Sequence, residues 1–95
     1  MVCEKVLFVG KTSAQISHHR KDGVTEAWIE SIVMHTPDTK RKYLKNGSFV
    51  IEVRRKKPSG AIINVFIYVR EEIFKIEDQI IWRECKVYGI HVEGS

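Results

Sequence analysis

The stretch SFVIEVRRKKPSGAIINVFIYVR, residues 48–70, constrains the fold more than any other part of the chain, because its turn fixes a strand register. Lys57-Pro58-Ser59-Gly60 fits a type I turn: proline pre-sets φ at the second position, and Gly60 can take the left-handed conformation that closes a three-residue loop. With Lys57 facing Ala61, Phe49 faces Val69, Ile51 faces Ile67, Val53 faces Val65 and Arg55 faces Ile63, so one side of the ribbon is almost wholly apolar. A two-residue loop would mix the faces and is rejected. The other side carries Val50/Tyr68, Glu52/Phe66, Arg54/Asn64 and Lys56/Ile62, a basic and aromatic mixture that needs water, a partner or a ligand.

Upstream, Asn46-Gly47 is a strong signal for a two-residue type I′ turn. With Lys45 facing Ser48, Leu44 meets Phe49, Tyr43 meets Val50, and Arg41 meets Glu52 as an opposite-charge pair. Residues 39–69 then form a three-stranded antiparallel meander whose charged first strand lies at an edge. The apolar face of that meander needs a cover, and residues 25–35 supply the best helix. Thr25 is its N-cap, Glu26 complements its N-terminus, and Pro37 stops it after Thr36. Val24, Trp28, Ile29, Ile32, Val33 and His35 share the covered half of the wheel.

The remaining elements are less sharply written. Residues 4–9 read as a short strand ended by Gly10, and residues 12–22 as either a strand leading to a turn or a short helix, broken by Gly23. Residues 71–84 (EEIFKIEDQIIWRE) suit strands with a turn at Glu77-Asp78 better than a helix, which would put Glu77 and Glu84 on its apolar side. Residues 86–92 read as a last strand with Tyr88, Ile90 and Val92 on one side and His91 on the other. The expectation is a single α+β domain over residues 1–95, with a mostly antiparallel sheet of about five or six strands and one main helix on one face.

Composition fits such a domain. Ninety-five residues, 43% hydrophobic and 29% charged, are enough to bury roughly 60 to 65% of the unfolded surface. The longest apolar run, residues 61–69, is interrupted by Asn64 and far short of the roughly 20 residues a membrane span needs. Glu4 before a short apolar stretch is wrong for a signal peptide, so the expected location is the cytoplasm. Cys3 and Cys85 lack the spacing of a disulfide framework or a metal clamp and read as unpaired thiols. The four histidines include only one close pair, His18 and His19, with no ligand-spaced partner, so neither a metal nor a cofactor is expected.

Charge is uneven: residues 40–57 hold eight basic side chains against Glu52 alone, a local +7 within a net charge of +4. Such a block draws phosphates if one face presents it, or keeps an edge strand soluble. Arg41, Arg54 and Lys56 would stand beside Tyr43, Phe66 and Tyr68, cations for a backbone and aromatic faces for bases, so RNA or single-stranded nucleic acid is the expected partner. His18 or His19, with Arg20, Arg54 and Tyr68, are the residue types a metal-free ribonuclease uses as base, acid and phosphate clamp. The alternative is a non-enzymatic homodimer or partner-binding module that hides Ile62, Phe66, Tyr68 and Tyr43.

The segment ISHHRKDGVTEAWIESIV followed by paired strands, residues 16–69 in all, resembles the small helix-then-sheet proteins around the RelE and HicA toxins. That resemblance implies an RNA-directed role, with His18 or His19, Arg20 and Arg54 near the site.

Overall fold

The computed structural model describes residues 3–94, without the side chain of Asp38. Strand β1 (Lys5–Phe8) is followed by helix α1 (Thr12–His18), a 3-10 turn (Arg20–Asp22) and helix α2 (Glu26–His35). Four strands complete the chain: β2 (Lys42–Tyr43), β3 (Ser48–Lys56), β4 (Ile62–Ile76) and β5 (Gln79–Glu93). They form one five-stranded sheet in the order β1-β5-β4-β3-β2. The fold is α+β and the sheet is mostly antiparallel, but it is mixed and not a pure meander, since β1 pairs with β5 in parallel; residues 12–18 take the helical alternative and add a second, shorter helix beside the main one.

The central hairpin forms in the expected register, from Phe49 opposite Val69 to Arg55 opposite Ile63. Lys57 N–H donates to Ala61 O at 2.7 Å, Gly60 N–H donates to Lys57 O at 2.8 Å, and Gly60 sits at φ +98°, which only glycine adopts freely. One face of the sheet is therefore dry: Phe49, Ile51, Ile63, Val65, Ile67 and Val69 are at most 2% exposed. Val87 and Ile90 of β5 join this face.

Helix α2 covers it through Ile29 and Val33, both fully buried, with Trp28 and Ile32 packed at the margin. Its N-cap is Thr25, whose hydroxyl accepts from Trp28 N–H at 3.2 Å. His35 is a further correction: it lies exposed, its Nδ1 2.8 Å from Ser31 O, because the helix rests on the Ile29/Val33 stripe and turns His35 outward. Arg55 and Lys57 reach from the hairpin to the helical layer. The Arg55 guanidinium lies 4.8 Å over the Trp28 ring, and Lys57 Nζ is 3.4 Å from Asp22 Oδ1.

Cys3 and Cys85 form a disulfide, with Cα atoms 5.8 Å apart, which corrects the reading of two unpaired thiols. The parallel β1–β5 pairing brings their neighbours into register, and a sequence separation of 82 hid that contact.

The molecule is long, 51 × 25 × 22 Å, with a radius of gyration of 14.0 Å where about 12 Å suits a compact chain of this length. The cause is the β4–β5 hairpin. β3 follows β4 only as far as Arg70, and β1 begins on β5 at Glu84, so residues 71–83 pair as a two-stranded arm beyond the body.

Candidate nucleic-acid interface

The side of the sheet away from the helices carries the site, and its first strand is not where Asn46-Gly47 alone would put it. Leu44 N–H donates to Ser48 O at 2.8 Å, leaving residues 45–47 as a three-residue loop with Gly47 at φ +82°. Asn46 Oδ1 accepts from Ser48 N–H at 3.1 Å and from the Ser48 hydroxyl, an Asx turn that holds the longer loop. Tyr43 therefore pairs with Phe49 and Lys42 with Val50. A one-residue slip reverses every side chain. Arg41 and Tyr43 leave the expected binding face, and the expected Arg41–Glu52 pair does not form.

Arg41 becomes structural instead. It is 6% exposed, its guanidinium 4.4 Å over the Phe49 ring, with Nη1 3.5 Å from Glu71 Oε2 and Nη2 4.0 Å from Cys3 Sγ. Tyr43 leans on Phe49 with ring centroids 5.5 Å apart and stays 58% exposed at the sheet edge.

Arg54, Lys56, Phe66 and Tyr68 do share the open face, since β3 and β4 keep their register throughout. Both described helices lie on the other side. Phe66 and Tyr68 are half-buried, Arg54 and Lys56 exposed, and Lys40, Lys42, Leu44, Val50 and Glu52 complete a shallow groove of about 390 Å³ beside the two rings. Strand β5 adds residues that the sequence pattern did not place here. A bulge opposite Tyr68/Val69 turns Tyr88 to this side, against the expected Tyr88/Ile90/Val92 alternation. Its ring lies 6.1 Å from Tyr68, its hydroxyl 2.9 Å from Ser48 Oγ, and the Arg70 guanidinium 5.5 Å above it. His91 lies 5.9 Å from Phe66. Gly89, within a strand otherwise rich in side chains, was the available sign of the bulge.

The result is a row of aromatic rings, Phe66, Tyr68 and Tyr88, among Lys40, Lys42, Arg54, Lys56 and Arg70, with the acidic Glu52 inside it and Glu72 and Glu93 at its ends. No family model, curated protein or solved structure matches the chain.

His18, His19 and Arg20 lie elsewhere. Arg55 and Lys57 are the hairpin residues that meet the Asp22–Gly23 turn, so Arg54, between them, points to the opposite side. His18 and His19 end α1 beside the free part of the β5 edge, where Gln15 Oε1 accepts from Ile90 N–H at 3.0 Å. A pocket of about 400 Å³ there is lined by Lys11, His18, His19 and His91 among others. Arg20 faces a different pocket, with Ile16, Val24 and Glu26. The structure thus separates Arg20 and Arg54 from the histidines, and joins His91 to them.

His19 has a structural tie as well, its Nδ1 3.3 Å from Asp22 Oδ2. That contact holds the Asp22 carboxyl below its ordinary range, against the upward push of burial, and Lys57 adds to the lowering.

Cys3, Cys85 and Glu71 cluster within 4.8 Å of one another. The sulfurs are bonded to each other and Arg41 already neutralises Glu71, so the cluster reads as a structural clasp at the root of the arm.

Proposed function

We propose that the protein binds RNA or another single-stranded nucleic acid on the open face of its sheet. The observation that carries this is the uncovered row of Phe66, Tyr68 and Tyr88 bordered by Lys42, Arg54, Lys56 and Arg70. Bases stack on such rings at about 1 to 3 kcal/mol each, and the cations follow the phosphates. A salt titration on a labelled RNA oligonucleotide tests it. Binding should weaken steeply with salt, and Arg54→Ala/Lys56→Ala should flatten the slope of log K against log salt by about 1.4, the value for two lost contacts on a single strand. Absence of binding at low salt, or an unchanged slope, would discard the reading.

A second reading adds cleavage. His91 touches both Phe66 and the His18/His19 pocket, so a strand crossing the β5 edge from the open face would meet Lys11 as a cation and two histidines as base and acid. The resemblance to RelE and HicA favours this reading, with Arg20 and Arg54 outside the reacting group. His18→Ala/His19→Ala should abolish cleavage of the same RNA while binding survives; cleavage by the variant at the wild-type rate would remove catalysis from the proposal.

No helix among the described residues is long and apolar enough to cross a membrane. A cytoplasmic location belongs to the proposal through its RNA partner. The Cys3–Cys85 disulfide is more usual outside the cytoplasm, although its cysteines, 1% and 0% exposed, are shielded from dissolved reductants.

A further inference from the structure

The arm at residues 71–83 leaves Ile73, Phe74, Ile76, Ile80, Ile81 and Trp82 each between 39% and 61% exposed. Together they hold on the order of 500 Å² of apolar surface in water, divided between the two sides of the ribbon, with Phe74, Ile76 and Trp82 on one and Ile73 and Ile80 on the other. A two-stranded ribbon of this kind is marginal in water by itself. Something of matching shape and charge is needed beside it.

The order of residues along the arm identifies the partner. On the side continuous with the open face, Arg70 and Lys86 stand opposite each other at the root, then Glu72 and Glu84, then Phe74 and Trp82, then Ile76 and Gln79, with Glu77 and Asp78 at the tip. Asp78 lies four positions from Phe74 and four from Trp82; Arg70 lies four before Phe74, and Lys86 four after Trp82. At about 3.4 Å per residue the root pair lies about 14 Å from Phe74/Trp82, whereas the tip, two strand residues and a tight turn away, lies about 10 Å from it, a difference within the reach of the Arg70 side chain. A second arm laid antiparallel on this side, with a two-fold axis between the Phe74/Trp82 pairs, brings each acidic tip to the other's root, where Lys86 already pairs with Glu72 and Arg70, over the Tyr88 ring, is the cation that meets it. The pattern is complementary to itself, which is what an isologous interface requires. The uncovered face at the root leaves room for the incoming tip.

We propose that two copies of this chain associate through their arms in that arrangement, with Phe74, Ile76 and Trp82 at the centre and Glu77 and Asp78 against the partner subunit's root. The arms would bury on the order of 600 Å² from each copy, less than the roughly 800 Å² of a standard interface, which places the association in the class of weak, reversible dimers. The surface differs from the Ile62/Phe66/Tyr68/Tyr43 patch expected from the sequence and stands independently of nucleic-acid binding.

Sedimentation without nucleic acid tests it, with unfolding curves to confirm that each variant is folded. Wild type should dimerise, and Arg70→Glu and Asp78→Lys should each weaken the dimer at least tenfold, because each sets like charges together at both ends of the interface. An equimolar mixture of the two variants should recover a dimer, since every tip–root contact between them then joins opposite charges. Phe74→Ser/Trp82→Ser should be monomeric. A wild-type chain that stays monomeric at about 50 µM, a mixture no tighter than the separate variants, or a Phe74→Ser/Trp82→Ser variant that still dimerises would each overturn the proposal.

Discussion

Strands β4 and β5 pass through two environments. In the body, Ile63, Val65, Ile67 and Val69 alternate with Asn64, Phe66, Tyr68 and Arg70, the first set at most 1% exposed beneath the helices and the second facing outward. In the arm the alternation loses its meaning: Ile73 and Ile80 lie on one side, Phe74, Ile76 and Trp82 on the other, and all are exposed. A strand with one buried face has its register specified by burial, whereas a strand apolar on both sides is specified only by its turn and by whatever covers it. The arm's turn is itself costly, since Glu77 and Asp78 occupy the left-handed region at φ 51° and 67°, where a type I′ turn favours Asn or Gly. The body's register is set by its own buried face, and the arm's is not.

The largest expected effect breaks the comparison if it fails. Ile67→Ala, at a fully buried site between β3 and β5, should cost about 2 to 5 kcal/mol in urea unfolding. Ile76→Ala, at a position 61% exposed, should cost less than about 0.5 kcal/mol when measured at low protein concentration. Equal losses at the two sites would mean that the arm is part of the core.

The same contrast explains what the sequence made legible. Residues 48–70 could be read pair by pair, because proline and glycine fixed the loop and alternation fixed the faces. Residues 71–84 stayed divided between strand and helix, because apolar residues on both sides carry neither period cleanly; the acidic Glu77-Asp78 pair favoured strands with a turn there, which is what forms. Parallel pairing of β1 with β5, and with it the Cys3–Cys85 bond, joins ends 82 residues apart, a contact that no local pattern encodes. Within the candidate site, Phe66, Tyr68, Arg54 and Lys56 were legible because they lie in the well-registered hairpin. Arg41 and Tyr43 were misplaced by one residue of loop length at Asn46-Gly47, and Lys42 took their position. Tyr88 arrived through a bulge that only Gly89 hinted at.

The smallest expected effect sharpens the comparison from the body's side. The β3–β4 end of the sheet is held to the helical layer by a polar contact, Lys57 Nζ to Asp22 Oδ1 at 3.4 Å, with His19 on the other carboxylate oxygen. Hydrogen bonding from His19, then the charge and hydrogen bond of Lys57, keep the folded Asp22 carboxyl below its ordinary 3.8 in spite of burial. A depressed carboxyl contributes stability above its unfolded value and loses it as pH falls through the folded one. Asp22→Asn should therefore lower the melting temperature slightly at pH 6 to 7, and the gap to wild type should close as pH falls below 3.8. A gap that persists unchanged down to pH 2, or none at pH 7, would show that this turn is held by packing of Val24 and Ile16 alone. In that case the body, like the arm, would owe its geometry to apolar contact, and what separates the two regions would be only whether the covering layer belongs to the same chain.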